Sequence, residues 1–138
     1  MLLGALEAGG TKMVCALGDE TGRIIEQISI PTTIPKETIP PIIDYFKDKG
    51  IEALGIASFG PVDLDKNSGT YGYITSTPKP GWTDYDLVGT IGGALSVPIG
   101  FDTDVNGSLL GEVTWGAARG LQDAIYITIG TGIGGGVL

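Results

Sequence analysis

Three short stretches combine residue types that can do chemistry. Glu7-Ala8-Gly9-Gly10-Thr11-Lys12 sits between two apolar runs. Adjacent glycines bare backbone N–H groups to an approaching anion, Thr11 adds a hydroxyl and Lys12 a cation. The set suits nucleotide phosphates, although Gly-Gly also serves plain hairpin turns. Its spacing is not that of a Walker A loop. Phe101-Asp102-Thr103-Asp104-Val105-Asn106 follows a predicted strand and feeds a helix. Carboxylates at the C-terminal edge of a sheet lie where α/β proteins bind ligands. Asp104 can take a proton from a substrate hydroxyl. Asp102 and Asn106 can position groups or a metal-bound water. Helix capping explains one acid, but not an Asp-x-Asp-x-Asn string.

The third stretch, Gly130-Thr131-Gly132-Ile133-Gly134-Gly135-Gly136, holds five glycines in seven positions. Gly130, Gly132 and Gly135 formally match the dinucleotide fingerprint, which must open a helix. Val137-Leu138 reads as a return strand instead, so a second phosphate-cradling hairpin is expected. Two glycine hairpins with an acidic strand end between them describe a two-sided phosphate clamp. Phosphoryl transfer needs such anion cradles and an acid to orient the nucleophile.

The elements that must position these stretches follow from periodicity. Met1 to Ala8, Met13 to Leu17 and Arg23 to Thr32 are three strands joined by short turns, an antiparallel meander. Pro35 and Thr38 open a helix striped by Ile39, Ile42, Ile43 and Phe46, with Gly50 as its cap. Pro40 and Pro41 fit only a first turn. Ile51 to Phe59 is a strand. Val62 to Asp86 shows no pattern. Asp86 caps a helix through Leu87, Val88, Ile91 and Leu95. Val97 to Phe101 is a strand, and the helix after Asn106 ends before Gly120. Ala124 to Ile129 is the last full strand. This order argues for an α/β sheet layered with helices. A strand that has just begun at Val137 lacks partners, so the chain is expected to be the front half of a longer protein.

Composition excludes several classes. The chain has 138 residues, 42% of them hydrophobic, and a formal net charge of −8. Disorder is excluded, and no basic block serves nucleic acid. Histidine is absent, which removes an imidazole base and His-ligated metal. Cys15 is the single cysteine, so no intramolecular disulfide forms. It reads as a buried core thiol. Glu7 and the lack of a basic n-region argue against a signal peptide, and no apolar run suffices for a span. A cytoplasmic protein without membrane or nucleic-acid partners is expected. An acidic chain repels nucleotide phosphates, so cations near them must be local, with Lys12 the best candidate. Trp115 reads as packing. Trp82 divides evenly between loop anchor and a platform for a ligand ring. The oligomeric state is not legible, and a homo-oligomer stays open.

In EAGGTK, Gly60-Pro61-Val62-Asp63, DTDVN and GTGIGGG, in that order, the chain resembles the ROK family. That family contains bacterial sugar kinases and sugar-responsive repressors, and the likeness runs from Leu3 to Leu138. Ser76-Thr77-Pro78-Lys79-Pro80-Gly81-Trp82 resembles above all the sugar-side loop of the fructokinase branch. The resemblance implies the actin-like, hexokinase-like fold: a ribonuclease-H-like mixed sheet with flanking helices over residues 1–117. Residues 118–138 would then begin a second lobe. It implies ATP- and Mg²⁺-dependent phosphorylation of a hexose, with fructose the expected sugar and Asp104 the general base. Gly9, Gly10, Thr11 and Lys12 match the first phosphate loop, and Thr131, Gly132 and Gly134 the second. Gly60, Pro61, Pro80, Gly81 and Trp82 match the sugar side, with Thr103 and Asn106 beside it. Family glucokinases usually carry Asn where Thr103 stands, a departure that weakens a glucose reading and is compatible with fructose. The residues present supply no metal ligand set. The family's zinc is implied only for a full-length protein, since its ligands lie beyond Leu138. The alternative is a sugar-sensing regulator of the same family without kinase activity. Family regulators carry a winged helix ahead of the sugar domain and often degrade the catalytic Asp or phosphate loops. This chain opens on a strand, and both features are intact.

Overall fold

The computed structural model describes residues 1–130 and 132–138. The expected meander is present: β1 (Leu2–Ala8), β2 (Lys12–Asp19) and β3 (Ile24–Pro31) pair antiparallel in sequence. Helix α1 (Pro35–Phe46) leads to β4 (Ala53–Ser58). Two short strands follow, β5 (Tyr73–Ile74) and β6 (Tyr85–Asp86), then α2 (Leu87–Leu95) and β7 (Ile99–Thr103). Helix α3 (Asp104–Thr114) precedes β8 (Ile125–Ile129) and β9 (Ile133–Val137). The main sheet has the order β3-β2-β1-β4-β7, with β4 parallel to both β1 and β7. This is the mixed sheet with flanking helices that the resemblance implies.

Alternation along the strands sorts the two sheet faces. Leu6, Met13, Cys15, Leu17, Leu54 and Ile56 are buried, and they join Ile39, Ile42 and Phe46 of α1 and Leu87 and Ile91 of α2 in one core. Ala5, Glu7, Gly55 and Gly100 are not buried and give the other face a small-residue surface. Helix α3 crosses that face so closely that a Cβ on Gly107 would lie 2.6 Å from the Cβ of Ala57. Strands β8 and β9 form a separate two-stranded sheet that packs on α3. No described helix is long and apolar enough to cross a membrane.

Four local expectations change. Helix α1 ends at Phe46 with Lys47 as its C-cap, so Gly50 closes the turn that follows and not the helix. Helix α1 begins at Pro35, so Pro40 and Pro41 stand beyond its first turn. They leave the Lys36 and Glu37 carbonyls without helical partners, and both residues are exposed to water, which takes their place. The aperiodic stretch 62–86 is ordered without a repeating face. Asp63 gathers it by accepting hydrogen bonds from Ser68 Oγ at 2.6 Å, Thr70 Oγ1 at 2.7 Å and the Asp65 amide at 3.0 Å. These donors, the two hydroxyls foremost, hold the Asp63 carboxyl below the ordinary carboxylate range. The broad glycine turn at the C-terminal end contracts: the Gly130 amide donates to the Gly132 carbonyl at 2.8 Å, and Gly134 to Gly136 lie inside β9.

Cys15 is fully buried, and burial pushes its thiol from the ordinary 9.0 up to about 12. The folded thiol should resist iodoacetamide at pH 8 and react once denaturant opens the core. The sign for stability follows. Between about pH 9 and 12 the unfolded thiol has lost its proton while the folded one keeps it, so stability falls as pH rises through that window. Labelling of the native protein as fast as that of a free thiol would place Cys15 outside the core.

Candidate functional site

The parallel strands β1, β4 and β7 end in one row, because Ala8 pairs with Ser58 and Ser58 with Thr103. Each strand then delivers a different loop to the same edge: Gly9-Gly10-Thr11, Phe59-Gly60-Pro61 and Asp104-Val105-Asn106. An open sheet binds ligands at its carboxyl edge, since the chain turns away there and leaves a crevice.

The first loop is a tight turn. The Gly9 amide donates to the Lys12 carbonyl at 3.0 Å, and a Cβ on Gly9 would stand 2.5 Å from that oxygen, so no side chain fits. Thr32 pins the turn from the end of β3: its Oγ1 donates to the Gly9 carbonyl at 2.7 Å and its amide to the Thr11 carbonyl at 2.9 Å.

The acidic stretch is organised differently from a capping Asp. Thr103 is the N-cap of α3, its hydroxyl accepting from the Asn106 amide at 3.2 Å. Both carboxylates are thereby released from capping. Asp102 Oδ1 accepts from the Thr103 amide and from Asn106 Nδ2, each at 2.7 Å. Asp104 Oδ1 accepts from the Val105 amide at 2.9 Å, and its second oxygen takes no hydrogen bond among the described residues. A half-buried carboxylate with one oxygen free is equipped to accept a proton.

A cleft of about 680 Å³ joins these parts. Gly10 and Thr11 line it from the first turn, Gly60 from the β4 loop, Thr103 and Asp104 from β7 and α3, and Gly130, Gly132 and Gly134 from the β8–β9 hairpin. The β9 glycines matter for closeness: a Cβ on Gly136 would stand 2.9 Å from Asn106 Oδ1, and one on Gly134 3.1 Å from Val105 Cγ1. Thr131, expected in the second phosphate loop, lies outside the described residues.

Several expected residues are not at the cleft wall. Gly9, Pro61, Pro80, Gly81 and Asn106 do not line it, although they lie in the same segments as residues that do. Lys12 is exposed at the start of β2 and does not line the cleft. The cation that does is Lys79, whose ammonium donates to the Gly10 carbonyl. Its signal in the sequence was its place between Pro78 and Pro80 in a chain with few cations. Trp82 is fully buried, with its indole N–H donating to the Thr33 carbonyl at 2.7 Å. Phe59 and Tyr85 pack edge-on to it at 5.8 and 5.3 Å between ring centroids. It anchors the loop and offers no face to a sugar. Trp115 packs over the turn at Gly22, where a Cβ would lie 2.7 Å from its ring. A second hollow, about 590 Å³, runs along the less covered sheet face past Glu7, Asp102 and Asp104.

The first loop's second glycine has a testable role. Gly10 does not hold a positive φ, so backbone strain is not what reserves it. A Cβ there would lie 3.0 Å from Lys79 Cε, and a valine would push Lys79 aside and narrow the cleft. For a protein that holds nucleotide phosphates and a sugar in this cleft, Gly10→Val should weaken nucleotide binding by roughly tenfold or more while sugar affinity changes little, read by calorimetry. Equal losses in both would mean general misfolding.

The ROK family profile matches residues 3–138. The chain is 50% identical over 138 residues to the fructokinase of Pediococcus pentosaceus, covering 100% of this chain and 48% of that relative. It is 52% identical over 135 residues to the fructokinase of Lactococcus lactis subsp. cremoris, covering 98% of this chain and 46% of the relative. The chain thus spans about half the length of the curated relatives it matches. The solved ROK family glucokinase of Streptomyces griseus, in complex with glucose and AMPPNP, aligns with a TM-score of 0.80 at 27% identity, covering 100% of this chain and 44% of that one. With its sheet order, its two glycine turns and its acidic strand end all in place, this chain belongs to the ROK family.

Proposed function

We propose that the full-length protein phosphorylates fructose with ATP. The observation that carries the reading is the single cleft that gathers both glycine turns around Asp104. The sugar is supported by two relatives named fructokinase at 50% and 52% identity. Gly10 and Thr11 receive the phosphates through backbone N–H groups, as bared amides of a glycine turn do, with Gly132 and Gly134 on the facing wall, while the Gly9 amide is held by the Lys12 carbonyl and shapes the turn. The sugar lies toward Gly60 and Thr103. Its hydroxyl gives its proton to Asp104 as the oxygen bonds to the terminal phosphorus, and the bond from that phosphorus to ADP breaks. Residues 1–117 are read as the first lobe and 118–138 as the start of the second, with the cleft between them. The reading places the protein in the cytoplasm, where ATP is supplied.

A Mg²⁺ ion needs few protein ligands when phosphates and waters fill most of its shell. Among the described residues no group of three acidic, Cys or His side chains is preassembled for a metal. Glu7 and Asp102 face one side of the sheet in register across Ala57 and line the second hollow with Asp104, which borders the cleft as well, so they would hold outer-shell waters of an ion at that junction. The ion would neutralise phosphate charge there.

The test is a coupled assay of the full-length protein with ATP and fructose, glucose or mannose. Fructose should give the highest kcat/KM. Transfer to none of the three would sink the reading.

A further inference from the structure

We propose that Lys79 is the cation that receives the terminal phosphoryl group of the nucleotide in the cleft, an assignment that rests on the kinase reading above. The chain carries 8 Lys and Arg against 16 Asp and Glu. Lys12, Arg23, Lys36, Lys47, Lys49, Lys66 and Arg119 are all exposed, whereas Lys79 is half-buried. Lys79 makes no ion pair among the described residues, while Arg23, Lys47 and Lys49 each face a carboxylate at the surface. A half-buried ammonium that faces no carboxylate, in a chain of net charge −8, is suited to an anion brought from outside.

Its surroundings hold it ready. The ammonium has three donors, and the Gly10 carbonyl takes one without neutralising the charge. Pro78 and Pro80 restrict the backbone on both sides. The Lys79 amide donates to Thr77 Oγ1 at 3.3 Å, and the Lys79 carbonyl accepts from the Trp82 amide at 3.2 Å. Trp82 fastens that turn into the core. Lys79 therefore spans from a rigid loop to the first phosphate turn and shares the cleft with Asp104.

In the transfer, negative charge spreads over the peripheral oxygens of the phosphoryl group while its bridging bond breaks and the new bond to the sugar oxygen forms. Lys79 neither gains nor loses a proton. It offsets that charge with its remaining donors, as a point-charge phosphate ligand does. The contact exists only for a nucleotide with a third phosphate, which separates this role from general support of the loop.

The experiment uses the full-length protein with Lys79→Met, Lys79→Gln and Lys79→Arg. AMPPNP and ADP are titrated by calorimetry, and kcat is measured with ATP and fructose. Lys79→Met and Lys79→Gln should weaken AMPPNP by about tenfold or more and ADP by less than about threefold. Both should lower kcat, and Lys79→Arg should recover part of each loss. Gln keeps a donor for the Gly10 carbonyl without the charge, so a purely structural role would be spared in that variant. Equal losses for AMPPNP and ADP, or no loss for either, overturn the assignment. A wild type that binds AMPPNP but phosphorylates no sugar defeats the kinase reading alone, and the AMPPNP-to-ADP comparison still decides Lys79. A wild type that binds neither nucleotide defeats both.

Discussion

Asp104→Asn in the full-length protein should cut turnover by about 10²–10⁴-fold, the usual worth of a positioned general base. Sugar affinity should hold within about threefold. The structure makes this a clean substitution. The Asn carbonyl oxygen can still accept from the Val105 amide, as Asp104 Oδ1 does at 2.9 Å. Thr103, not Asp104, caps α3, so the helix keeps its cap. What is lost is basicity at the oxygen that takes no hydrogen bond among the described residues. Steady-state kinetics with fructose and calorimetry of sugar binding read the two quantities separately. Near-normal turnover would move the base elsewhere. Asp102 would be the next residue to replace, although its Oδ1 already holds the Thr103 amide and Asn106.

The second large effect is on stability. Trp82→Ala should cost about 3–5 kcal/mol, because truncating a large aromatic leaves a cavity that its neighbours only partly refill. The ring is fully buried between Phe59 and Tyr85, and its loss also strips the Thr33 carbonyl of its donor. Domains of this size are commonly stable by only about 5–15 kcal/mol, so a large share of that margin would go. Urea unfolding followed by circular dichroism gives the number. Trp115→Ala is the internal control, since Trp115 is 52% exposed and should lose far less. A cost below about 1 kcal/mol at Trp82 would mean that the 76–83 loop is anchored by something else. The loop carries Lys79, so Trp82→Leu, a milder variant, should loosen nucleotide binding in step with its loss of stability.

Much of the frame was legible in the residues alone. Short apolar runs mark β1 and β2, and the short turns between the first three strands point to antiparallel neighbours. The stripe of Ile39, Ile42 and Phe46 marks the buried face of α1, and Asp86 caps α2 as expected, accepting from the Gly89 amide at 2.7 Å. Cys15 reads as core because it alternates with Met13 and Leu17, and all three are buried. The three chemistry-bearing stretches were visible because Gly-Gly, Asp-x-Asp and glycine repeats are local features of the chain.

Tertiary structure decided what those stretches face. Periodicity records which side of an element is buried, but not which strand ends meet. Ala8, Ser58 and Thr103 share a row only because two parallel crossovers bring them there, and the spacing along the chain carries no trace of it. The same holds for Lys79, which lies 69 residues from the Gly10 carbonyl it bonds. Lys12 is adjacent to that loop in sequence yet points to solvent, since it opens a strand whose next residue, Met13, turns into the core. The identity of the α3 cap was undecidable between neighbours that can all accept a hydrogen bond, until backbone geometry selected Thr103. Residues 62–86 resisted reading for a related reason. They are held by scattered anchors, among them the Asp63 carboxylate, the buried Trp82 indole, buried Ile74 and the two-residue strands β5 and β6, and such anchors leave no period for a sequence to show.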